Sequence, residues 1–440
     1  MKIIILDSIK EGNFKINKDS AGGYGTCNKF GDDFIGKVYS FFVRNFVNYP
    51  ALATMYVCAI LEKKNEVIYT QDINCVKNCD LCLVTSSIVT HETEINNIKK
   101  IKARGIYVGV IGAFCTIEPE IYANYSDFVI VGEPEFYFLN NDMSKFILDK
   151  KSGIIKVNSK NSLDELPFPS FEKYFKYGGP KAFFISFFKK TIPILLSRGC
   201  PYSCFNYCTY PSIQGRLIRR RSDENLIKEM KYWINNYNIN NFLFRDPVFS
   251  INNKNTIQLC QKLKENKLNV KFGIETHLNN ITPELARLLY DCGCRYIEVG
   301  IESVTDDVIK SSKRFSIEKE KELYLIKEIE KIGIKIKTMF IYGLPKDTEE
   351  TCLASLNFAK KINSHYSQFN VFTPYPGTPI FEQYKKYIFT NKFEDYSQSD
   401  LIFKHENLDE MQIKLLISKS YKSYYFRSAY ILKKIKSMFK

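Results

Sequence analysis

Short apolar runs rich in β-branched residues alternate with helical patterns twice along this chain, and a double proline separates the two series. In the first series, Ile3–Leu6, Glu66–Thr70, Leu81–Thr85, Tyr107–Ile111 and Phe128–Val131 read as strands, with helices over Ala51–Leu61 and Glu92–Ala103. Strands this apolar need cover on both faces, so the alternation predicts a parallel sheet. Small residues follow several of these strands, in Gly22-Gly23-Tyr24-Gly25, Ser86-Ser87, Gly112-Ala113 and Gly132-Glu133-Pro134. The carboxyl ends of parallel strands are where an open α/β sheet admits a ligand.

The segment Asp164-Glu-Leu-Pro-Phe-Pro169 forbids regular structure and marks the boundary. Beyond it, strands are expected at Pro193–Ser197, Asn241–Arg245, Val270–Glu275, Arg295–Ile301, Lys335–Ile341 and Gln368–Phe372, with helical patterns such as Asn225–Tyr237, Pro283–Asp291 and Glu318–Ile332 between them. Such βα units predict a barrel or part of one, with its active site at the carboxyl ends of the strands. After Pro379 the pattern turns helical to the end. The expected fold class is therefore α/β: a Rossmann-like doubly wound parallel sheet (1–150), a linker (151–185), a partial (β/α)6 barrel of TIM type (186–385) and a basic helical C-terminal region (386–440).

A chain of 440 residues with 45% hydrophobic side chains can bury two or three cores, which excludes a disordered or small disulfide-stapled protein. Its net charge of +15 invites nucleic acid or an anionic membrane as partner. The excess is uneven, however. No acidic residue follows Glu410, whereas Lys414, Lys419, Lys422, Arg427, Lys433, Lys434, Lys436 and Lys440 do, so much of the charge reads as one solvated helical face and nucleic acid as the weaker partner. Ile3–Leu6 is too short for a secretory signal, and the longest uncharged stretch, Asn45 to Leu61, contains Asn48 and Pro50, so a cytoplasmic protein without a transmembrane segment is expected.

Thirteen cysteines without export read as metal ligands where clustered and as core residues where scattered. Cys200, Cys204 and Cys208 lie on the loop after the first barrel strand, in Arg198-Gly-Cys-Pro-Tyr-Ser-Cys-Phe-Asn-Tyr-Cys-Thr-Tyr-Pro211. Three thiolates with no nearby fourth ligand suit an iron–sulfur cluster with one open position; a zinc site or unliganded thiols are the alternatives. A second triad, Cys75-x3-Cys79-x2-Cys82, runs into the apolar stretch Leu81–Thr85 and reads as core and strand-entry residues, as do Cys292 and Cys294 beside Gly293.

The first triad resembles the cluster loop of the radical S-adenosylmethionine enzymes, Cys-x3-Cys-x2-Cys with an aromatic before the third cysteine, the place of Tyr207; Cys204 to Cys208 is one residue longer than that pattern. Gly300-Ile-Glu-Ser303 resembles the family segment that reaches the ribose of S-adenosylmethionine, and Met339-Phe-Ile-Tyr-Gly-Leu-Pro345 the one that packs its adenine. Phe244-Arg-Asp-Pro-Val-Phe249, Glu275-Thr-His-Leu278 and Thr373-Pro-Tyr-Pro-Gly-Thr-Pro379 fall where members carry similar strings. The resemblance implies a 4Fe-4S cluster on Cys200, Cys204 and Cys208, S-adenosylmethionine at Tyr207, Glu275, Glu302, Ser303 and Ile341, generation of a 5′-deoxyadenosyl radical, and an electron donor such as flavodoxin or ferredoxin.

The first domain resembles the cobalamin-binding module found ahead of many such barrels, through Pro50–Leu61, Val110–Thr116 and Phe128–Glu135. That implies cobalamin at Ser86, Ser87, Gly112, Ala113, Gly132 and Glu133. The Asp-x-His-x-x-Gly string that supplies a histidine to cobalt is absent; the first of four histidines is His91. The implied reaction is methyl transfer to an unactivated carbon of a small-molecule or peptide substrate. The alternatives are a radical cyclisation, rearrangement or oxidation without cobalamin, and an RNA-binding or RNA-modifying protein. Arg219-Arg-Arg221 could neutralise a ligand's carboxylates or form a solvated basic turn. Tyr424-Tyr-Phe-Arg427 reads as packing.

Overall fold

The computed structural model describes residues 1–9, 15–28, 30, 34–157, 162–186, 189–202, 206–314 and 317–438. Its first sheet consists of β1 (Lys2–Leu6), β2 (Glu66–Thr70), β3 (Leu81–Thr85), β4 (Tyr107–Ile111), β5 (Phe128–Val131) and β6 (Gly153–Lys156), all parallel, in the order β2-β1-β3-β4-β5-β6. Ile3, Ile4, Ile5 and Leu6 and the whole of β3 are buried, as strands covered on both faces must be. The helix Leu52–Leu61 is apolar around its circumference and accordingly nearly all buried. Because the chain steps outward from β1 to β2 and then back past β1 to β3, the strand order reverses between β1 and β3, and a crevice opens there.

Five of the six strands match expectation, and β6 corrects it. Gly153–Lys156 belongs to the stretch read as linker, yet it pairs in parallel with β5 as the sheet edge. Lys181 and Ala182, from the same stretch, pair antiparallel with Val47 and Asn48.

The second sheet contains all six expected strands: β7 (Ile192–Ile194), β8 (Asn241–Phe244), β9 (Lys271–Glu275), β10 (Cys294–Glu302), β11 (Lys335–Tyr342) and β12 (Tyr366–Val371), parallel and in chain order. Four of the helices between them start at side-chain caps: Ser222, Asn252, Thr282 and Thr348 each accept the backbone N–H three residues on. Several end on a residue with positive φ, at Asn238, Gly333 and Asn363. In β11 the residues alternate strictly, with Ile336, Thr338, Phe340 and Tyr342 buried and Lys337, Met339 and Ile341 turned to the barrel interior.

The C-terminal region departs from the continuous helix expected. Residues 388–409 are largely irregular, held by an antiparallel bridge between Ile388 and Phe403, and the helices Glu410–Tyr425 and Ser428–Met438 follow. The first of these covers the free edge of β12. Tyr425 Oη accepts from Ser367 N (3.0 Å) and donates to Ser367 O (2.7 Å), while Tyr421 Oη accepts from Phe369 N (3.1 Å) and donates to Phe369 O (3.3 Å). Two tyrosines one helical turn apart thus satisfy the edge groups that a missing strand would have satisfied. Tyr424 Oη donates to Ser364 O (2.7 Å), so this segment packs, as expected. The basic face is only partly solvated: Lys414, Lys419, Lys422 and Lys436 are exposed, but Lys433 pairs with Glu330 (2.5 Å) and Lys434 lies 4.0 Å over the Tyr366 ring.

Tyr421→Phe should leave the Phe369 N–H and C=O without partners and lower stability by about 1–3 kcal/mol. Thermal unfolding checks this; an unchanged midpoint would remove the edge-capping role.

Candidate active site

The carboxyl ends of the two sheets face one another, and ion pairs between the domains hold them there. Arg198 donates to Glu133 (2.5 Å) and pairs with Glu135; Arg219 donates to both Glu133 oxygens (2.7 and 2.8 Å). Burial alone would raise the Glu133 carboxyl, but Arg198 and Arg219 outweigh it and hold it below the ordinary range. Arg245, just after β8, donates to Asp19 Oδ2 (2.6 Å) and to Asp19 O (3.0 Å). Asp19 lies beyond Lys15–Asn17, which pairs antiparallel with Thr26–Asn28 in a hairpin whose tip reaches the barrel. There Thr209 Oγ1 donates to Ala21 O (2.7 Å) and Tyr24 Oη to Pro376 O (2.5 Å).

The triple arginine is thus neither a ligand clamp nor a solvated turn. Arg219 serves Glu133, Arg220 pairs with Asp223, and Arg221, 3% exposed, donates to Glu229 (2.5 Å) and to Leu195 O (3.0 Å).

Ser197–Arg198 pairs antiparallel with Arg219–Arg220, so a short ribbon clasps the base of the cysteine loop. Asp246 anchors its start, accepting from Leu196 N (3.1 Å) and Ser197 Oγ (2.6 Å); burial, against these hydrogen bonds, pushes its carboxyl up to about 6. Gly199 has φ +95°, and a Cβ there would stand 2.1 Å from Leu217 O, so only glycine fits. Cys204 lies outside the described residues.

Cys200 and Cys208 line one cavity with Tyr207, Glu275, His277, Gly300, Glu302, Arg314 and Met339, at the barrel mouth. Cys200 is 5% exposed, and burial pushes its thiol up. Two thiols facing a shared cavity beside carboxylates suit a thiolate-bound cluster with a cationic cosubstrate. Glu302 ends β10 at φ +65°, beside a register shift against β11, a strained position for a side chain other than glycine. Arg314 pairs with Glu302 and also donates to Gly300 O; burial nonetheless raises the Glu302 carboxyl. Ser303 is 1% exposed and accepts from Thr305 N (3.3 Å), capping the next turn instead of facing the cavity. His277 Nδ1 accepts from Asn279 N (3.2 Å), so the ring also serves the barrel rim.

The barrel interior forms a second cavity of about 1220 Å3 counting its open mouth. Ile341, expected beside the cosubstrate, lines this space with Lys337, Met339, Tyr296 and Gln368. Glu298 meets Lys337 at 3.3 Å and accepts from Tyr296 Oη (2.9 Å). Glu275 borders both cavities, and burial and then the Glu298 charge push its carboxyl up to about 7.

A third cavity, about 890 Å3 with its mouth, lies at the crevice of the first sheet. Ser86, Gly112, Ala113, Gly132 and Glu133 line it, together with Gly22, Gly23 and Ala53. Gly112 has φ +123°, and a Cβ there would fall 2.8 Å from Ser86 Oγ, itself the acceptor for Cys115 N (3.0 Å). Ser87 departs from expectation: its hydroxyl turns away from the cleft to Thr90 and Glu94 (3.2 Å). Glu94 and Asp7 there hold the buried Lys18, whose ammonium they raise against the cost of burial. Among the described residues, no histidine lines this cleft. In the other triad, Cys82 is fully buried in β3 and Cys75 is exposed, consistent with core and strand-entry positions.

One side chain reaches all three spaces. Tyr210 lines the crevice cleft, the barrel interior and the mouth. It follows the third cysteine by two residues and starts the short helix Tyr210–Gln214, and sequence reasoning assigned it no role. Arg314 was missed as well, because nothing local marks it; Arg245 stood inside a quoted string without a function.

Residues 194–359 match the model of the Radical SAM superfamily. Over its length the chain is 25% identical to an uncharacterized methyltransferase of Pyrococcus horikoshii, covering 88% of this chain and 90% of that one. It is also 25% identical to bacteriochlorophyllide d C-12(1)-methyltransferase of Chlorobaculum tepidum, covering 83% and 78%. Among solved structures it is similar in fold to the cobalamin-dependent S-adenosylmethionine radical enzyme OxsB, with a TM-score of 0.66, 15% identity, and 99% of this chain and 68% of that one covered.

Because the folded protein holds the Glu275 proton to a higher pH than the unfolded chain does, this group costs stability as pH rises from about 4.5 to about 7. Glu275→Gln should therefore raise the unfolding midpoint relative to the parent at pH 8 but not at pH 4.5, by on the order of 1–3 kcal/mol. Equal differences at the two pH values would show that Glu275 titrates normally.

Proposed function

We propose that this chain, a radical S-adenosylmethionine enzyme, transfers a methyl group to a carbon of a small-molecule or peptide substrate bound in the barrel interior, with a corrinoid in the crevice cleft. The observation that carries the reading is contiguity: the thiol-lined mouth, the barrel interior and the cleft meet at Tyr210. Relatives named as methyltransferases support it, as does the likeness in fold to a cobalamin-dependent enzyme.

On this reading Cys200 and Cys208, which line the mouth, would hold a 4Fe-4S cluster together with Cys204 of the same loop. Cluster and S-adenosylmethionine, when bound, supply the one-electron cleavage that yields a 5′-deoxyadenosyl radical, and cobalamin supplies the methyl group. The protein's own work is to bind, orient and exclude water. Glu302, fixed by Arg314, accepts from ribose hydroxyls, and Tyr207 flanks the cosubstrate. Glu275 borders both the cosubstrate and substrate spaces and holds a proton near neutral pH. Small residues at Gly112, Ala113 and Gly132 would let a flat macrocycle lie against backbone. The aromatic wall of Phe183, Phe184, Tyr296 and Tyr366 and the polar Lys337, Gln368 and Asn370 suit a substrate with both apolar and polar parts. A flavodoxin or ferredoxin supplies the electron. No helix among the described residues is long and apolar enough to cross a membrane.

Anaerobic protein reconstituted with iron, sulfide and hydroxocobalamin should form 5′-deoxyadenosine from S-adenosylmethionine and dithionite, and Cys200→Ala should abolish it. No product from the parent would refute the catalytic claim.

Gly112→Val should reduce bound cobalt at least about tenfold while leaving cluster iron unchanged, since the branched side chain collides with Ser86. Less than about 0.1 cobalt per chain in the parent would instead favour cobalamin-independent radical chemistry on the same cluster.

A further inference from the structure

Away from the three cavities, three ligand-type side chains converge from distant parts of the chain. His91 and Glu92 start the helix His91–Lys102 of the first domain, and Glu394 lies on the turn Phe393–Asp395 of the irregular C-terminal segment. One ligand atom from each falls within 4.8 Å of the others. The His91 and Glu394 side chains are 10% exposed; His91 Nδ1 faces Glu394 Oε1 without hydrogen-bond geometry, and Glu394 Oε2 has no hydrogen-bond partner. Orphaned atoms at such depth call for an explanation, because buried polar groups are otherwise paired.

The separation of the pair is compatible with a shared cation. His91 Nδ1 and Glu394 Oε1 lie 3.3 Å apart. A charge-assisted hydrogen bond draws nitrogen and oxygen to about 2.7–2.9 Å. Two ligands each bonded at about 2.0–2.1 Å to one tetrahedral cation stand about 3.3 Å apart. The surroundings fix the groups in this spread arrangement. Glu394 Oε1 accepts from Glu92 N (3.0 Å), and the imidazole is held edge-on by Phe114 and Phe393, with ring centroids 6.0 and 5.2 Å away. Glu92, the third member, is exposed.

We infer that His91, Glu92 and Glu394 form a site for a divalent cation of zinc's class, which staples residues 386–409 onto the first domain. The ligand set, one imidazole and two carboxylates, suits such a borderline metal. The staple is independent of the methyl-transfer reading, since none of its residues lines the three cavities.

The test uses cluster-loaded protein, so that the loop cysteines are occupied, equilibrated with zinc chloride and desalted. Metal analysis should find about one zinc per chain more in the parent than in His91→Ala or Glu394→Gln, with iron and sulfide equal in all three. Glu92→Gln, at an exposed position that folding does not depend on, should weaken zinc binding at least about tenfold. Saturating zinc should also raise the unfolding midpoint of the parent but not of His91→Ala. Equal zinc in parent and variants, or a parent midpoint indifferent to zinc, would overturn the proposal and leave His91 and Glu394 as an ion pair only.

Discussion

The geometry of this molecule rests on buried ion pairs that cross between its two sheets. A parallel sheet exposes its ligand-binding loops at one end only, so two such sheets can build a shared site only if those ends face each other. Arg198 against Glu133 and Glu135, and Arg245 against Asp19, impose that orientation. Each arginine follows a barrel strand within a few residues; Asp19 and Glu133 belong to loops of the first domain, and Glu135 to the start of the helix Pro134–Asn140. The pairs are well removed from solvent, so losing one partner would strand a charge and cost several kcal/mol. They act as locks on relative position more than as sources of stability, and Arg198 stands two residues before Cys200, so the same contact that docks the domains also aims the cysteine loop.

Strands and the cysteine loop were readable because their signals are local. Eleven expected strands appear where apolar runs occur, and Pro167 and Pro169 lie in the stretch between the last strand of the first sheet and the first strand of the second. The failures share one cause, which is dependence on distant partners. Gly153–Lys156 is half exposed and short, and only the neighbouring β5 makes it a strand. Residues 388–409 carry aromatic and basic residues that mimic a helical face, but Tyr396, Leu401, Ile402 and Phe403 are buried by contacts made across the fold. Within the site, Cys200, Cys208, Glu275 and Glu302 were found by motif. Glu133 was found as a cleft residue, but its commitment to two arginines was not, because a carboxylate's partner is invisible until the chain is folded. The Ser87 and Ser303 hydroxyls turn to partners within their own loops, which sequence does not reveal because a one-residue step along a strand end turns a side chain to the opposite face.

Positive φ marks three points where the chain turns from strand to site. Gly199 and Gly112 adopt it without cost at the entrances to the cysteine loop and the cleft, whereas Glu302, at the end of β10, is strained by it. Such a non-glycine position persists only when its surroundings over-determine it. Arg314, bridging the Glu302 carboxylate and Gly300 O, supplies part of that constraint at β10.

Tyr210 gives the three cavities a common wall one aromatic ring thick. Arg245 lines the cleft and the barrel interior beside it, so anything that passed between those two spaces would pass these two side chains, one from each end of the first barrel crossover.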